Sequence, residues 1–276
     1  MAATTRKQPR STVEIRGFPV QMWTIRMQLP KSDSFRLGTY SPITTTSPAT
    51  LKSMRAESLA NWKPVCLPHR RPMYGRTVVL EPLDAARHAA SLWRAVQGQD
   101  ELWQWMFDGP FASEAEFTAA LARKQVTTDQ IFFAIVPAAT GHCAGYASYL
   151  RIEPAHGVIE VGNIVYSPPL QGSTAATEAM YLMARHIFDD LGYRRYEWKC
   201  NAENAPSRRA AQRLGFTFEG VFRQHMVIKG RNRDTAWFAM LDGEWPARKA
   251  AFESWLDPSN FAANGRQLKP LEQLQK

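Results

Sequence analysis

The residues best suited to chemistry lie between positions 158 and 207. Glu160 is the one carboxylate in an otherwise apolar run, Val158-Ile-Glu-Val161. Burial beside apolar neighbours disfavours a charged carboxylate and raises its pKa, which suits a general base near neutral pH. Glu160 is therefore a candidate base. Two plainer roles remain open, a solvated strand edge and an ion pair with an arginine.

A loop of small residues follows the same run. Gln171-Gly-Ser-Thr-Ala-Ala176 comes after two prolines and opens an apolar stripe that predicts a helix over 172–191. A helix start offers unpaired backbone N–H groups and the positive end of the helix dipole, so this loop could bind a pyrophosphate. Neither a Walker A loop nor a dinucleotide-binding fingerprint is present. An ordinary helix start with small packing residues explains the loop alone equally well.

Two polar residues begin the next predicted helix, 204–214. Asn204 suits its cap position, which is the plainer role for an asparagine there. Ser207 lies one turn before Ala210 and Ala211, so its hydroxyl can share their side of the helix. His225 stays undecided. Other polar residues have default surface roles: a His186–Asp190 salt pair, a solvated Arg208, Arg209 and Arg213, and a polar turn at Lys229–Arg233.

The elements that must position these residues follow from periodicity and turn residues. Seven strands are expected, at 77–83, 131–136, 143–152, 158–166, 195–200, 216–228 and 234–241. Further helices are expected after the cap residue Asp84, over 113–125 and over 245–256. Gly162 and Asn163 could form a bulge that separates their strand from the next. This order predicts an α/β fold of the α+β type, with a mixed, mostly antiparallel sheet of about seven strands flanked by helices.

The net charge of +9 is unevenly distributed along the chain. Residues 1–76 contain 13 Lys and Arg against 3 Asp and Glu, whereas residues 77–276 contain 21 against 22. The folded part is thus nearly neutral, and no nucleic-acid binding is expected of it. Three scattered cysteines form no metal pattern, so no metal is expected. The chain has no apolar run long enough to span a membrane.

Composition also divides the chain. Residues 1–60 are rich in Ser, Thr, Arg and Pro, which predicts a disordered basic extension or a transit-like segment. Residues 61–276 are predicted to form a single domain with its core at about 76–246. A cytoplasmic location is expected, or a mitochondrial one if the extension is a genuine transit peptide.

The loop and its flanks together resemble the GNAT superfamily of acetyltransferases. The family's pyrophosphate loop reads Gln/Arg-x-x-Gly-x-Gly/Ala, and Gln171–Ala176 is similar to it. Glu160-Val-Gly-Asn-Ile-Val-Tyr-Ser-Pro168 resembles the family's fourth strand. Asn204-Ala-Pro-Ser207, Arg213-Leu-Gly-Phe216 and Glu219-Gly220 resemble its second motif. Four separated motifs occur in the family's order over about 76–246, which makes the resemblance specific.

Some positions indicate a branch of the superfamily, and others depart from its pattern. Leu80-Glu-Pro-Leu83 and Arg223 look like the branch that includes ribosomal-protein N-terminal acetyltransferases. Thr174 stands where the family usually has glycine. Ala211 stands where many members carry the tyrosine that protonates the departing thiolate, so the general acid is open.

The resemblance implies transfer of an acetyl group from acetyl-CoA to a primary amine by direct attack. Glu160 would be the base, Ser207 the general acid facing the thiolate, and a backbone N–H near Ile164 or Val165 the donor to the oxyanion. Asn204 would bond the pantetheine. The pyrophosphate would be held by the loop residues Gln171, Gly172, Ser173, Thr174, Ala175 and Ala176.

The acceptor is not readable from the sequence. It is a small-molecule or peptide amine, and the aromatic cluster around the second helix could shape its pocket or simply pack the core: Trp93, Trp103, Trp105, Phe107 and Phe111. Asp108 and Glu101 could attract a cationic amine. The open alternatives are a non-catalytic acyl-CoA-binding or sensing module, an acyltransferase of the same fold with another acyl group, and a nucleic-acid-associated protein anchored by its basic N-terminus. Relatives in the superfamily often dimerise, so a homodimer is an open expectation.

Overall fold

The computed structural model describes residues 58–275. Leu59–Lys276 forms one compact unit. The predicted extension, 1–60, lies almost wholly outside the described residues, so its disorder and its transit-peptide alternative stay predictions. Within residues 58–275, every helix is too short or too polar to cross a lipid bilayer.

Eight strands form one sheet in the order β1-β2-β3-β4-β5-β6-β8-β7. They are β1 (Met73–Tyr74), β2 (Val78–Pro82), β3 (Ile131–Pro137), β4 (Gly145–Glu153), β5 (Val158–Tyr166), β6 (Arg195–Asn201), β7 (Thr217–Ile228) and β8 (Arg231–Leu241). Neighbouring strands are antiparallel except β5 and β6, which are parallel. The predicted fold class is confirmed. The prediction of about seven strands misses β1, which is two residues long and precedes the apolar pattern.

Helices cover both faces of this sheet. They are α1 (Ala85–Val96), α2 (Glu114–Val126), α3 (Thr174–Arg185), α4 (Ala205–Arg213), α5 (Trp245–Leu256) and α6 (Leu271–Leu274), with 3₁₀ turns at Asp100–Trp103 and Pro258–Asn260. Side chains alternate between the two faces along each strand. Phe132 therefore joins the core beneath α1 and α2, and its neighbour Phe133 joins the core beneath α3 and α5.

The long helix differs from its prediction at both ends. It was expected over 172–191, but α3 begins at Thr174 because the Oγ of Ser173 caps it, accepting from the Ala176 N–H at 3.1 Å. Its last turn, His186–Asp190, is a π-helix. The predicted salt pair within that turn is confirmed, with His186 Nδ1 2.8 Å from Asp190 Oδ2.

Strands β5 and β6 separate part-way along their length. Val158–Val161 pairs with Arg195–Trp198. Beyond this point β5 continues to Tyr166 and β6 to Asn201, but the two strands no longer pair with each other. The sheet therefore opens at its centre, where a ligand can reach strand backbone.

The predicted bulge in β5 is present and contributes to this opening. Ser148 of β4 pairs with Gly162 and Tyr146 pairs with Val165, so β5 has one extra residue between them. Asn163 takes a left-handed φ of 50°. Its Nδ2 donates to Ser148 Oγ at 2.9 Å and to Gln130 Oε1 at 2.8 Å, which holds the bulge in place.

The β7–β8 hairpin corrects the predicted polar turn at Lys229–Arg233. Lys229 and Gly230 have φ of 49° and 74°, as a tight two-residue turn requires, and β8 already begins at Arg231. Arg233 is thus a strand residue. Lys229 is not a free turn residue either, because its Nζ donates to the carbonyls of Trp103 at 2.8 Å and Asp108 at 2.9 Å.

Candidate active site

A cleft of about 850 Å³ opens where β5 and β6 separate. We call it the large cleft. Its walls come from the end of β5, the start of α3, α4 and the C-terminal segment. Predicted site residues that line it are Ile164, Val165, Gln171, Gly172, Thr174, Ala176, Asn204 and Ser207. Three predicted residues keep their side chains out of it: Ser173 Oγ caps α3, the Ala175 methyl is buried behind the wall, and Glu160 lies in a neighbouring cavity.

Backbone N–H groups are concentrated at the start of α3. Among residues 58–275, the N–H groups of Gly172, Thr174 and Ala175 donate to no acceptor. Gly172 has a φ of 67°, a conformation that glycine adopts without strain. Unpaired donors at the positive end of a helix dipole form an anion site, and this is the fit that a pyrophosphate requires.

Two polar side chains of α4 face the same cleft. Asn204 caps the helix, with its Oδ1 accepting from the Ser207 N–H at 3.1 Å, so the plainer role is confirmed. Ser207 Oγ accepts from Trp198 Nε1 at 3.0 Å. Because that bond uses a lone pair of the oxygen, Ser207 keeps its own proton to donate.

Ala211, which stands where many family members carry a tyrosine, does not line the large cleft. Ala211 is fully buried in the core, whereas Ala210 lines the large cleft. The prediction that both would share the side of Ser207 is therefore right for Ala210 and wrong for Ala211. Neither residue brings a hydroxyl to the cleft.

A second cavity of about 100 Å³, the small compartment, adjoins the large cleft. Five residues line both and form their common wall: Trp105, Ile164, Trp198, Asn204 and Ser207. Glu160 lies on the far side of this wall, in the small compartment. The opening in the sheet thus joins an anion-binding cleft to a compartment that holds a carboxylate.

Glu160 is buried, with 5% of its surface exposed, but it is not isolated. Its Oε2 lies 2.9 Å from Lys199 Nζ and 3.2 Å from Arg151 Nε. The predicted alternative of an ion pair with an arginine is therefore present. Burial raises the pKa of Glu160, and the two cations oppose that rise without cancelling it.

Lys199 explains how these charges are tolerated. Its Nζ also lies 2.6 Å from Glu197 Oε2 and 3.9 Å from the centre of the Trp237 ring. The ammonium thus contacts two carboxylates and an aromatic face. Sequence reasoning missed Lys199 because β6 lies beside β5 only in the folded sheet, where the Lys199 side chain reaches Glu160.

The aromatic cluster divides between core and site. Trp103 is buried and packs edge-on against Phe111 and Phe117, as core packing predicts. Trp105 and Phe107 instead line the small compartment. Asp108 pairs with Lys124, and Glu101 lines the large cleft, so neither offers a free carboxylate to the compartment.

Sequence reasoning also missed residues outside the four motifs. Arg151 and Arg233 line the small compartment. Trp255, Phe261, Gly265 and Gln267 of the C-terminal region line the large cleft. The alternation of Arg233 and Thr235 along β8 was a usable signal for the first group. No local pattern marks the second group.

Comparison with known proteins gives this geometry its family. The family model described as an acetyltransferase (GNAT) domain matches residues 77–217. The chain belongs to the GNAT acetyltransferase family. The predicted superfamily resemblance is thereby confirmed, and the chain is an acyl-CoA-dependent N-acetyltransferase that uses acetyl-CoA as co-substrate.

Several relatives agree with this assignment. A GCN5-related N-acetyltransferase from Brucella melitensis is 50% identical with a TM-score of 0.77, over 79% of this chain and 99% of that chain. A probable acetyltransferase of the GNAT family from Chromobacterium violaceum is 40% identical with a TM-score of 0.65, over 75% of this chain and 100% of that chain. A protein of Bacillus subtilis (strain 168) named "Putative ribosomal N-acetyltransferase YdaF" is 24% identical, over 62% of this chain and 93% of its own length. That name agrees with the predicted branch.

Among residues 58–275, no group of three or more His, Cys, Asp or Glu side chains is placed to hold a metal ion.

Proposed function

We propose that the chain acetylates a primary amine by direct attack, with the amine bound in the small compartment and acetyl-CoA in the large cleft. The observation that carries this proposal is the common wall at Ser207 and Trp198, where the two cavities meet. Direct attack requires the amine and the thioester to meet in a suitable orientation. A wall shared by their two cavities brings them together.

The large cleft fits acetyl-CoA in charge and form. Gly172, Thr174 and Ala175 would direct backbone N–H groups at the pyrophosphate, and Arg213 supplies a cation at the same cleft. Arg213 is held by Thr177 Oγ1 at 3.1 Å and stacks over Trp255. Near Ile164 and Val165, the edge of β5 that no longer pairs with β6 would meet the pantetheine and supply the oxyanion donor.

Acetyl-CoA supplies an acyl group on a thioester, so a C–N bond forms as the C–S bond breaks. Glu160 would accept one amine proton, directly or through water, on its carboxylate. Burial raises its pKa toward the working pH, and Lys199 and Arg151 oppose that rise because they stabilise the carboxylate. Ser207, whose oxygen accepts from Trp198, would give its hydroxyl proton to the departing sulfur. It would regain a proton from Glu160 through water, since both residues line the small compartment, so the amine proton balances the thiol proton.

The acceptor is a protein N-terminus or a small amine; the Bacillus relative is named a ribosomal N-acetyltransferase, which agrees with a protein acceptor. The compartment is small and its aromatic wall, Trp105 and Phe107, is close to the candidate base. A homodimer stays a prediction.

The first experiment measures thiol release from acetyl-CoA by the full chain with N-terminal peptides, amino acids, polyamines and aminoglycosides. Glu160→Gln is expected to lower kcat by about 100-fold, as loss of a general base does. Glu153→Gln, on an exposed position of the neighbouring strand β4, is the matched control and should be unchanged.

Each outcome separates one part of the proposal from another. Equal rates in wild type and Glu160→Gln would keep the enzyme and discard the base. Tight acetyl-CoA binding without turnover on any amine would favour the non-catalytic binding module instead.

A further inference from the structure

Arg233 is a buried cation at the small compartment. It is 8% exposed and stands on β8 facing the compartment. Its Nε donates to Thr235 Oγ1 at 3.2 Å, and its guanidinium carbon lies 5.3 Å from the centre of the Phe107 ring. Within residues 58–275, Arg233 forms an ion pair with no carboxylate. A buried guanidinium without an anion is costly unless a ligand completes it.

The charges around the compartment do not balance. Three cations line it, Arg151, Lys199 and Arg233, against one carboxylate, Glu160. Lys199 is already neutralised by Glu160 and Glu197, and Arg151 shares the same Glu160 oxygen. The compartment therefore carries a net positive charge that is concentrated at Arg233.

His225 adds a neutral donor beside this cation. Its Nδ1 lies 2.9 Å from Thr235 Oγ1, which already accepts from Arg233. The hydroxyl proton is then free to bond Nδ1, which leaves Nε2 with its hydrogen as a donor. Partial burial and the nearby cations Arg151, Arg233 and Lys199 lower the pKa of His225, so the ring is neutral at pH 7.

Backbone strain marks the same compartment. Arg151 and Asn163 both line it, and both hold left-handed φ angles, 48° and 50°. Non-glycine residues avoid this region unless the surroundings enforce it, and such residues cluster at functional sites. The strained backbone at Arg151, within β4, places a second cation at the compartment.

We propose that the acceptor is a compact amine that carries a carboxylate, which pairs with Arg233 while the amine lies toward Glu160. This inference rests on the proposed function and names the class of its substrate. A guanidinium fork matches a carboxylate, and the volume of about 100 Å³ favours a small partner. A polycationic acceptor would meet like charge at Arg151 and Arg233 instead.

The test compares amino acids with their own amides as acceptors for the full chain. The two differ in the carboxylate and in the pKa of the amine, so the ratio of their kcat/KM values, each expressed per neutral amine, isolates the contribution of the anion. Wild type is expected to favour the acid by about tenfold or more, as a charge-assisted bond contributes. Arg233→Met should bring the ratio close to one, because kcat/KM for the acid falls more than kcat/KM for the amide.

Arg231→Met is the matched control, because it removes an exposed arginine from the same strand. It should retain the wild-type ratio. Arg233→Lys should keep part of the preference, since the charge remains without the fork. Far-UV circular dichroism and acetyl-CoA affinity check that each variant is folded. A wild type that treats acid and amide alike, or an Arg233→Met that keeps the preference, overturns the inference.

Binding of the reaction products gives a readout that does not require turnover. Calorimetry with N-acetyl amino acids and their amides should show tighter binding of the acids by wild type and no difference in Arg233→Met. Peptides that begin with Asp and with Asn distinguish an acidic protein N-terminus from a free amino acid. Acid-selective binding without acetyl transfer would keep Arg233 as a carboxylate-binding residue and overturn the proposed function on which the acceptor class rests. Transfer without selectivity would keep the proposed function and overturn this inference.

Discussion

The large cleft and the small compartment share a wall but handle charge by different means. The large cleft presents backbone donors from one short stretch, 172–175. The small compartment presents side-chain charges from four strands, with Arg151, Glu160, Lys199 and Arg233 on β4, β5, β6 and β8. The first is built by local chain geometry, and the second exists only after the sheet has assembled. Substitutions in the large cleft should therefore act through the local backbone, and substitutions in the small compartment should act through side-chain charge.

The largest effect expected in the large cleft comes from Gly172→Ala. Gly172 and Gly192 have nearly the same φ, 67° and 72°, and neither has a neighbour near an added Cβ. Alanine in that conformation costs about 1 kcal/mol, so both variants should lose that much unfolding free energy.

Only Gly172→Ala should weaken acetyl-CoA binding, by about fivefold, because only there does the backbone present donors to the cleft. Urea denaturation and calorimetry measure the two quantities. Equal affinity in both variants would show that the loop is an ordinary helix start.

A smaller effect separates the two roles of Asn204. Asn204→Ala and Asp84→Ala each remove a helix cap, of α4 and α1 respectively, and each should lose about 1 kcal/mol of stability. Asn204→Ala should also raise the KM for acetyl-CoA by about threefold, since it lines the large cleft. If both variants keep the wild-type KM, Asn204 is a cap and nothing more.

The smallest expected effect is a shift in pH dependence at the small compartment. Arg151 lowers the pKa of Glu160, so Arg151→Met should raise it further. A base works when ionised, and activity falls as pH falls below its pKa. The acid limb of kcat/KM should therefore move to higher pH, by about half a unit. The control Arg231→Met should leave the acid limb in place. If Arg151→Met also leaves it in place, the limb belongs to the acceptor amine or to a group other than Glu160.

The difference between the two regions also explains which elements and contacts could be predicted from the sequence. Periodicity and caps predicted α2, α4 and α5 within a residue or two, because such signals are local. The loop at 171–176 was readable for the same reason, although the side-chain cap at Ser173 moved the helix start. The partners of Glu160 were not readable, because Lys199 is 39 residues away and meets it only across the β5–β6 pair.

Arg233 shows a second limit of prediction from the sequence. It was assigned to a turn because Lys229-Gly-Arg-Asn-Arg233 is uniformly polar, yet a two-residue turn suffices and the strand begins early. A polar strand segment that borders a site is easily mistaken for loop, since its polarity reflects binding and not exposure. Of its two polar residues that face the compartment, Arg233 and Thr235, the first is 8% and the second 1% exposed.

The C-terminal wall of the large cleft has a consequence for how such enzymes diverge. Phe261, Gly265 and Gln267 come from a segment that lies after the last strand and outside the family match at 77–217. None of the eight strands contains these residues, so substitutions among them can alter the width of the cleft beside Trp255 and Arg213 without changing a strand. The fit of CoA and the choice of amine would then evolve on separate parts of the chain.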